Sequence, residues 1–99
     1  MAAPQKVEWT PEALDQLERI HAYVRGQWNQ RIADRFITLV IEFEELIIRY
    51  PNGFPCSSLH PELRMGPIHR NVRAVYRVDA DRILIITLLD NRADNSAWF

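Results

Sequence analysis

Ile68-His-Arg-Asn-Val-Arg-Ala-Val-Tyr-Arg-Val78 and, four residues later, Ile83-Leu-Ile-Ile-Thr-Leu-Leu-Asp-Asn-Arg92 decide how this chain folds. In the first stretch Val72, Ala74, Tyr76 and Val78 share one face and Arg73, Val75 and Arg77 the other, the two-residue period of a half-buried strand. The second stretch is apolar from Ile83 to Leu89 except at Thr87, as a central strand covered on both sides requires. The short polar link Asp79-Ala-Asp-Arg82 predicts that the two strands fold back as an antiparallel hairpin. One face of that hairpin needs a hydrophobic cover; the other carries arginines.

Working outward, Lys6-Val-Glu-Trp-Thr10 alternates and predicts a short first strand. Thr10-Pro11-Glu12 then combines a capping hydroxyl, a proline at the first helical position and an acid in the first turn. Leu14, Leu17, Ile20, Val24 and Trp28 recur at helical spacing behind it. Asn29 caps a second helix over about 30–50, whose apolar face is Phe36, Leu39, Val40, Phe43, Leu46, Ile47 and Tyr50. Ile37, Ile41 and Ile48 widen that face beyond what one neighbour covers. Either this helix is sandwiched between the first helix and the sheet, or part of it meets another chain, a partner protein or a second copy forming a homodimer. Pro51-Asn52-Gly53 ends it, a breaker-rich loop follows over 55–61, and Glu62 to Gly66 reads as a further short strand. The expected architecture is α+β: an N-terminal strand, an antiparallel helical hairpin, and an antiparallel β-meander on which the hairpin packs (βααβββ). It forms one domain, residues 1–99, of two layers.

Composition narrows the function. No run of apolar residues is long enough to span a membrane, and Met1 to Lys6 has no apolar signal core, so a cytoplasmic location and no membrane partner are expected. The single cysteine, Cys56, excludes an internal disulfide and every multi-cysteine metal site. The net charge is −1, poor for indiscriminate coating of nucleic acid. Its distribution is uneven: residues 60–77 hold Arg64, Arg70, Arg73 and Arg77 against Glu62 alone. Eleven of the twelve basic residues are arginine, the side chain suited to planar contacts with carboxylate, phosphate or a base edge. Solvated strand positions that keep an edge soluble are the plain alternative.

Phosphate loops, dinucleotide fingerprints and His-Glu-x-x-His are absent from the sequence, so no cofactor is expected. His21, His60 and His69 lie in separate elements, so no metal site is expected either. His69, Arg70, Arg73, Tyr76, Arg77 and Arg92 could together present cations and an acid–base group to a phosphodiester. The pleat opposes this: Tyr76 points with Val72 and Ala74, as a core tyrosine with a hydrogen-bonded hydroxyl does. The tail after Arg92 is polar until Trp98-Phe99, an aromatic pair expected to fold back onto the body or dock on a partner.

Laid out in order, the chain resembles the RelE/ParE superfamily of toxins from bacterial type II toxin–antitoxin (plasmid stabilisation) systems. The likeness runs from Val7 to Arg92. It rests on Val7-x-Trp9, then Ala13, Leu17, Ile20 and Tyr23, Ala33-x-x-Phe36, Leu46, Pro51 and Gly53, Arg73-x-x-Tyr76-Arg77-Val78, Ile83, Ile85 and Arg92. One residue rather than the more usual two separates Pro51 from Gly53. The resemblance implies the βααβββ fold and a cognate antitoxin that wraps and blocks the toxin. It also implies one of two activities: ParE-like poisoning of DNA gyrase, without nuclease chemistry, or RelE-like cleavage of mRNA on the ribosome by a metal-independent endoribonuclease. The tail lacks the terminal His or Tyr usual in the nuclease branch, and the net charge is poor for docking among ribosomal phosphates, so the gyrase branch is favoured. The residues expected to meet target or antitoxin are Arg64, His69, Arg70, Arg73, Arg77, Arg92, Ile37, Ile41, Ile48 and Trp98. A nuclease would draw its catalytic cations from Arg70, Arg73, Arg77 and Arg92.

Overall fold

A computed structural model describes residues 6–91. The elements follow as β1 (Val7–Trp9), α1 (Pro11–Gln27), α2 (Gln30–Arg49), β2 (Arg64–His69), β3 (Val72–Val78) and β4 (Ile83–Asp90). The helix boundaries sit where the sequence puts them. Thr10 Oγ1 accepts from the Ala13 N–H at 3.1 Å, and Asn29 Oδ1 accepts from the Ile32 N–H at 2.9 Å, each satisfying a donor the first helical turn leaves over. Among the described residues, no helix is long and apolar enough to cross a membrane.

The sheet runs β1-β4-β3-β2. The meander β2-β3-β4 is antiparallel, but β1 joins β4 in parallel, so the sheet is mixed and corrects the wholly antiparallel expectation. Hydrophobic period reveals which side chains share a face; strand direction is set by how the chain returns, and period is silent on that. The β1–β4 junction is closed by the Ile83 N–H donating to Lys6 O and the Thr10 N–H donating to Ile85 O.

The Ile68–Val78 stretch is also not one strand. β2 ends at His69, a tight turn takes Arg70 and Asn71, and β3 begins at Val72. A bulge falls just before that turn, with Pro67 opposite Arg73 but His69 opposite Val72. A second bulge lies in β4, where Thr87 faces Val75 and Ile85 faces Tyr76, leaving Ile86 without an opposite residue. That extra residue shifts the alternation of β4: Ile83, Ile85 and Leu88 enter the helix-side core, while Leu89 joins the other face. The α1 N-terminus docks at the bulge, with Thr10 Oγ1 donating to Ile86 O at 2.7 Å. One turn on, Gln16 Oε1 accepts from the Leu88 N–H and the Thr87 hydroxyl, so α1 satisfies the backbone edge that the three-residue β1 is too short to pair.

Both helices cover one face of the sheet. Phe36, Val40, Phe43 and Ile47 of α2 and Ala13 of α1 form a single cluster with Ile68, Val72, Ala74, Tyr76, Ile83, Ile85 and Leu88. Each large side chain so buried stabilises the fold by about 1.5–3 kcal/mol relative to exposure. α1 meets α2, β4 and β1, and α2 meets α1 and β2; α2 is therefore not sandwiched, and its surplus apolar residues stay outside. The inward stripe of α1 starts at Ala13, with Leu17 and Ile20 packed against the cluster, so Leu14 and Trp28, expected inside, are exposed.

Candidate macromolecule-binding surface

The sheet face away from the helices carries a small apolar patch. Leu63, Val75 and Leu89 are buried there, with Met65 and Ile86 packed around them. Arg73 and Arg77 lie on this face by alternation with Val75, and both are half-buried. Arg77 is held locally: its Nε and Nη2 donate to Asp79 Oδ1 and Oδ2 at 2.9 and 3.2 Å. Arg82 continues the array, with Nε 3.6 Å from Asp79 and Nη1 2.7 Å from Glu8 Oε2. The hydrogen bond from Arg77 holds the Asp79 carboxyl below the usual carboxylate range, and that from Arg82 does the same for Glu8. The basic stripe counted over residues 60–77 is thus neutralised at one end by an aspartate just outside that window.

Arg64 also acts inside the fold. Its Nη1 donates to Phe54 O at 2.7 Å and to Asn52 O at 3.4 Å, fastening the loop after α2 to β2. That loop runs beside the strand, with Ser57 N–H donating to Leu63 O, Met65 N–H to Pro55 O, and an antiparallel bridge between Cys56 and Arg64, which covers part of an edge otherwise open to pairing. Gly66 is required by the same packing: a Cβ there would lie 2.7 Å from the Phe54 ring.

His69 and Arg70 stand at the opposite end of the sheet from the Arg77 array, in the β2–β3 turn. His69 Nδ1 accepts from the Asn71 N–H at 3.2 Å, so its ring stabilises the turn. Residues 69–72 form one wall of a cleft of about 380 Å³ at the tip of the helical hairpin. Tyr23 of α1, Trp28 just past its end, and Ile32, Arg35 and Phe36 of α2 form much of the remainder. Trp28 is 72% exposed. Sequence reasoning missed this cleft because Trp28 fits the inward stripe of α1, and nothing local marks residues 70–71 as a turn. Arg92 and Trp98 lie outside the described residues.

Of the helical isoleucines, Ile37 packs against the core while Ile41 and Ile48 are exposed; they share one flank of α2 at positions 37, 41 and 48. Leu46 and Tyr50, expected inside, are exposed as well. On the same helix Glu44 Oε2 accepts from Trp9 Nε1 at 2.9 Å, tying α2 to β1.

Tyr76 is fully buried, edge-on to Phe43 at a centroid distance of 6.0 Å. Its hydroxyl has no hydrogen-bond partner among the described residues, which corrects the expectation of a bonded one. Burial pushes its pKa up to about 12. A phenol on the helix side of the sheet, held neutral, is removed from any chemistry on the arginine face.

These features define a two-layer α+β protein whose exposed chemistry is cationic and apolar, suited to contact with another macromolecule. The chain belongs to the ParE toxin family: the family model described as the ParE toxin of type II toxin–antitoxin system, parDE, matches residues 7–95. The protein is accordingly the toxin component of a type II toxin–antitoxin module. Among solved structures, it is similar to a chromosomal ParDE TA system from P. aeruginosa, with TM-score 0.76 and 20% identity over 90% of this chain and 98% of that one. It is also similar to a YoeB/ParE toxin from Agrobacterium tumefaciens, with TM-score 0.64 and 22% identity over 87% of this chain and 98% of that one. These two likenesses show the shared fold. Comparison with curated protein sequences finds no match.

Proposed function

We propose that this toxin acts in the cytoplasm by gripping DNA gyrase, without cleaving RNA, and that a cognate antitoxin neutralises it by covering the same surfaces. The observation that carries this reading is the dispersal of the groups a nuclease would have to assemble. Cleavage without a metal needs an acid–base pair beside cations on one phosphate. Here Tyr76 is buried on the helix side, His69 is engaged in the β2–β3 turn, and Arg77 and Arg64 are bound to Asp79 and to loop carbonyls. What the surface offers is contact area: the half-buried Arg73, the exposed Arg70, and the flank of α2 where Ile41 and Ile48 stand exposed beside the half-buried Ile37. The antitoxin suited to it carries an extended or helical segment with acidic and apolar residues.

Purified toxin in a gyrase supercoiling assay, with translated messages followed in parallel after induction, tests the reading. Inhibited supercoiling with intact messages is expected. Normal supercoiling at saturating toxin with codon-phased message cuts, abolished by Arg73→Ala, would establish mRNA cleavage instead. Size exclusion of the toxin with and without antitoxin distinguishes antitoxin from a second copy on the Ile41–Ile48 flank.

A further inference from the structure

The helical layer is electrically polarised along its length. Between Ile20 and Val40, where α1 hands over to α2, the charged residues are Arg25, Arg31 and Arg35 against Asp34. The other end carries Glu12, Asp15 and Glu18 of α1 beside Glu42 and Glu45 of α2. Asp34 is engaged, accepting from Gln30 Nε2 at 2.6 Å. Among the described residues no ion pair holds Arg25, Arg31 or Arg35. Arg70, in the β2–β3 turn that walls the cleft, adds a fourth exposed cation. Arg31 stands in the first turn of α2, which holds no acid, although the helix dipole favours negative charge there. Its placement works against the helix and suits an anion brought from outside.

The same end of the molecule exposes rings. Trp28 and Tyr23 are both exposed, at the mouth of a cleft lined by Ile20, Val24, Phe36 and Leu39. Its volume of about 380 Å³ is that of a site for one small ligand group. Arginines around an exposed indole at such a mouth suit a single nucleic-acid strand, with guanidinium on phosphate and ring on base face. A duplex hides its base faces in the stack and offers Trp28 nothing to lie against. The apolar lining also separates the two sugars. A ribose 2′-hydroxyl pressed against Ile20, Val24 and Leu39 would lose its water and gain no partner, a cost deoxyribose does not meet.

We infer that the hairpin tip binds a short stretch of single-stranded DNA, with Arg31, Arg35 and Arg70 on its phosphates and Trp28 stacked on a base. The acidic end of the helical layer repels the rest of the strand, so contact is confined to the tip, in keeping with a net charge of −1. The inference goes beyond gyrase as the target and is tested without it.

The test is fluorescence anisotropy of a labelled DNA strand of mixed sequence, about 12 nucleotides long, titrated with intact toxin at roughly 50 mM salt. The parent should bind, and Trp28→Ala should weaken binding about tenfold or more. Arg31→Glu/Arg35→Glu should abolish it while melting no lower than the parent, because both acids suit the start of α2. Arg35→Gln should flatten the slope of log affinity against log salt by about 0.7. RNA of the same sequence, and the same strand paired in a duplex, should bind more weakly. No binding by the parent, equal affinity for RNA or duplex, or binding untouched by these variants would each overturn the inference. So would loss of binding in Arg73→Ala alone, which would put the strand on the sheet face. Poly-glutamate displacing the strand as effectively as unlabelled DNA would assign the tip to an acidic protein segment instead, and would overturn it too.

Discussion

The two faces of the sheet are made by the same strands and are put to opposite uses. On the helix side, Val72, Ala74, Tyr76, Ile83 and Ile85 join both helices in a continuous core. On the other side the apolar content shrinks to Leu63, Val75 and Leu89 with two partly buried neighbours, and the arginines begin. One residue step along β3 separates a group that holds the fold from a group available to a partner. Stability and toxicity should therefore be separable by substituting neighbouring residues.

The largest effect expected is on the helix side. Phe43→Ala removes a ring stacked on Phe54 and edge-on to Tyr76 and should cost about 3–5 kcal/mol in chemical denaturation; a loss under about 1 kcal/mol would mean that the helix-side core is not what holds the molecule. Next comes Gly66→Ala, whose new methyl would press on the Phe54 ring at 2.7 Å, for a loss of about 1–3 kcal/mol and a lowered thermal midpoint.

Tyr76→Phe sharpens the contrast with the opposite sign. Deleting a buried hydroxyl that has no described partner should raise stability by about 1 kcal/mol. The parent's alkaline titration follows from the same burial. Tyr76 ionises at about 12 when folded and near 10 when unfolded, so its neutral form favours the fold fully below pH 10. That contribution fades as pH rises through 12, and the Phe variant should lack this part of the decline.

The smallest stability effect belongs to the outer face. Arg77→Ala should leave the melting temperature nearly unchanged while reducing growth inhibition after induction. At acid pH a small difference should emerge. The depressed pKa of Asp79 means that its pairing favours the fold above the ordinary carboxylate value and is lost as pH falls through the folded one. Arg77→Ala should show less of that acid loss. A large drop in melting temperature at neutral pH would instead merge the two faces into one structural unit.

Much of this was readable from the chain because the signals are local. Thr10-Pro11-Glu12, Asn29 and Pro51-Asn52-Gly53 mark helix ends by their own side chains, and the alternation from Val72 to Val78 assigns both faces of β3. What escaped depends on distant partners. The turn at Arg70–Asn71 contains neither glycine nor proline. The bulge at Ile86 hides inside a run that is apolar whatever its register. The parallel seating of β1 depends on how the chain returns to it. At the site, the arginines were found but not their local engagements, because Asp79 and the Phe54 carbonyl both lie outside residues 60–77. Trp28 was misplaced because a helical stripe predicts burial only while a neighbour extends far enough to cover it.

The pairing of Val7 with Ile83 also has a temporal side. A nascent chain emits β1 early, yet β1 has no sheet to join until β4 has been synthesised about 75 residues later. At about 5–20 residues per second that is a wait of roughly 4–15 s, during which the sheet lacks a strand and α1 lacks the strand edge that Thr10 and Gln16 grasp. A finished toxin cannot exist before its last strand is made, and an antitoxin able to hold the helices in that interval would meet its partner before the host does.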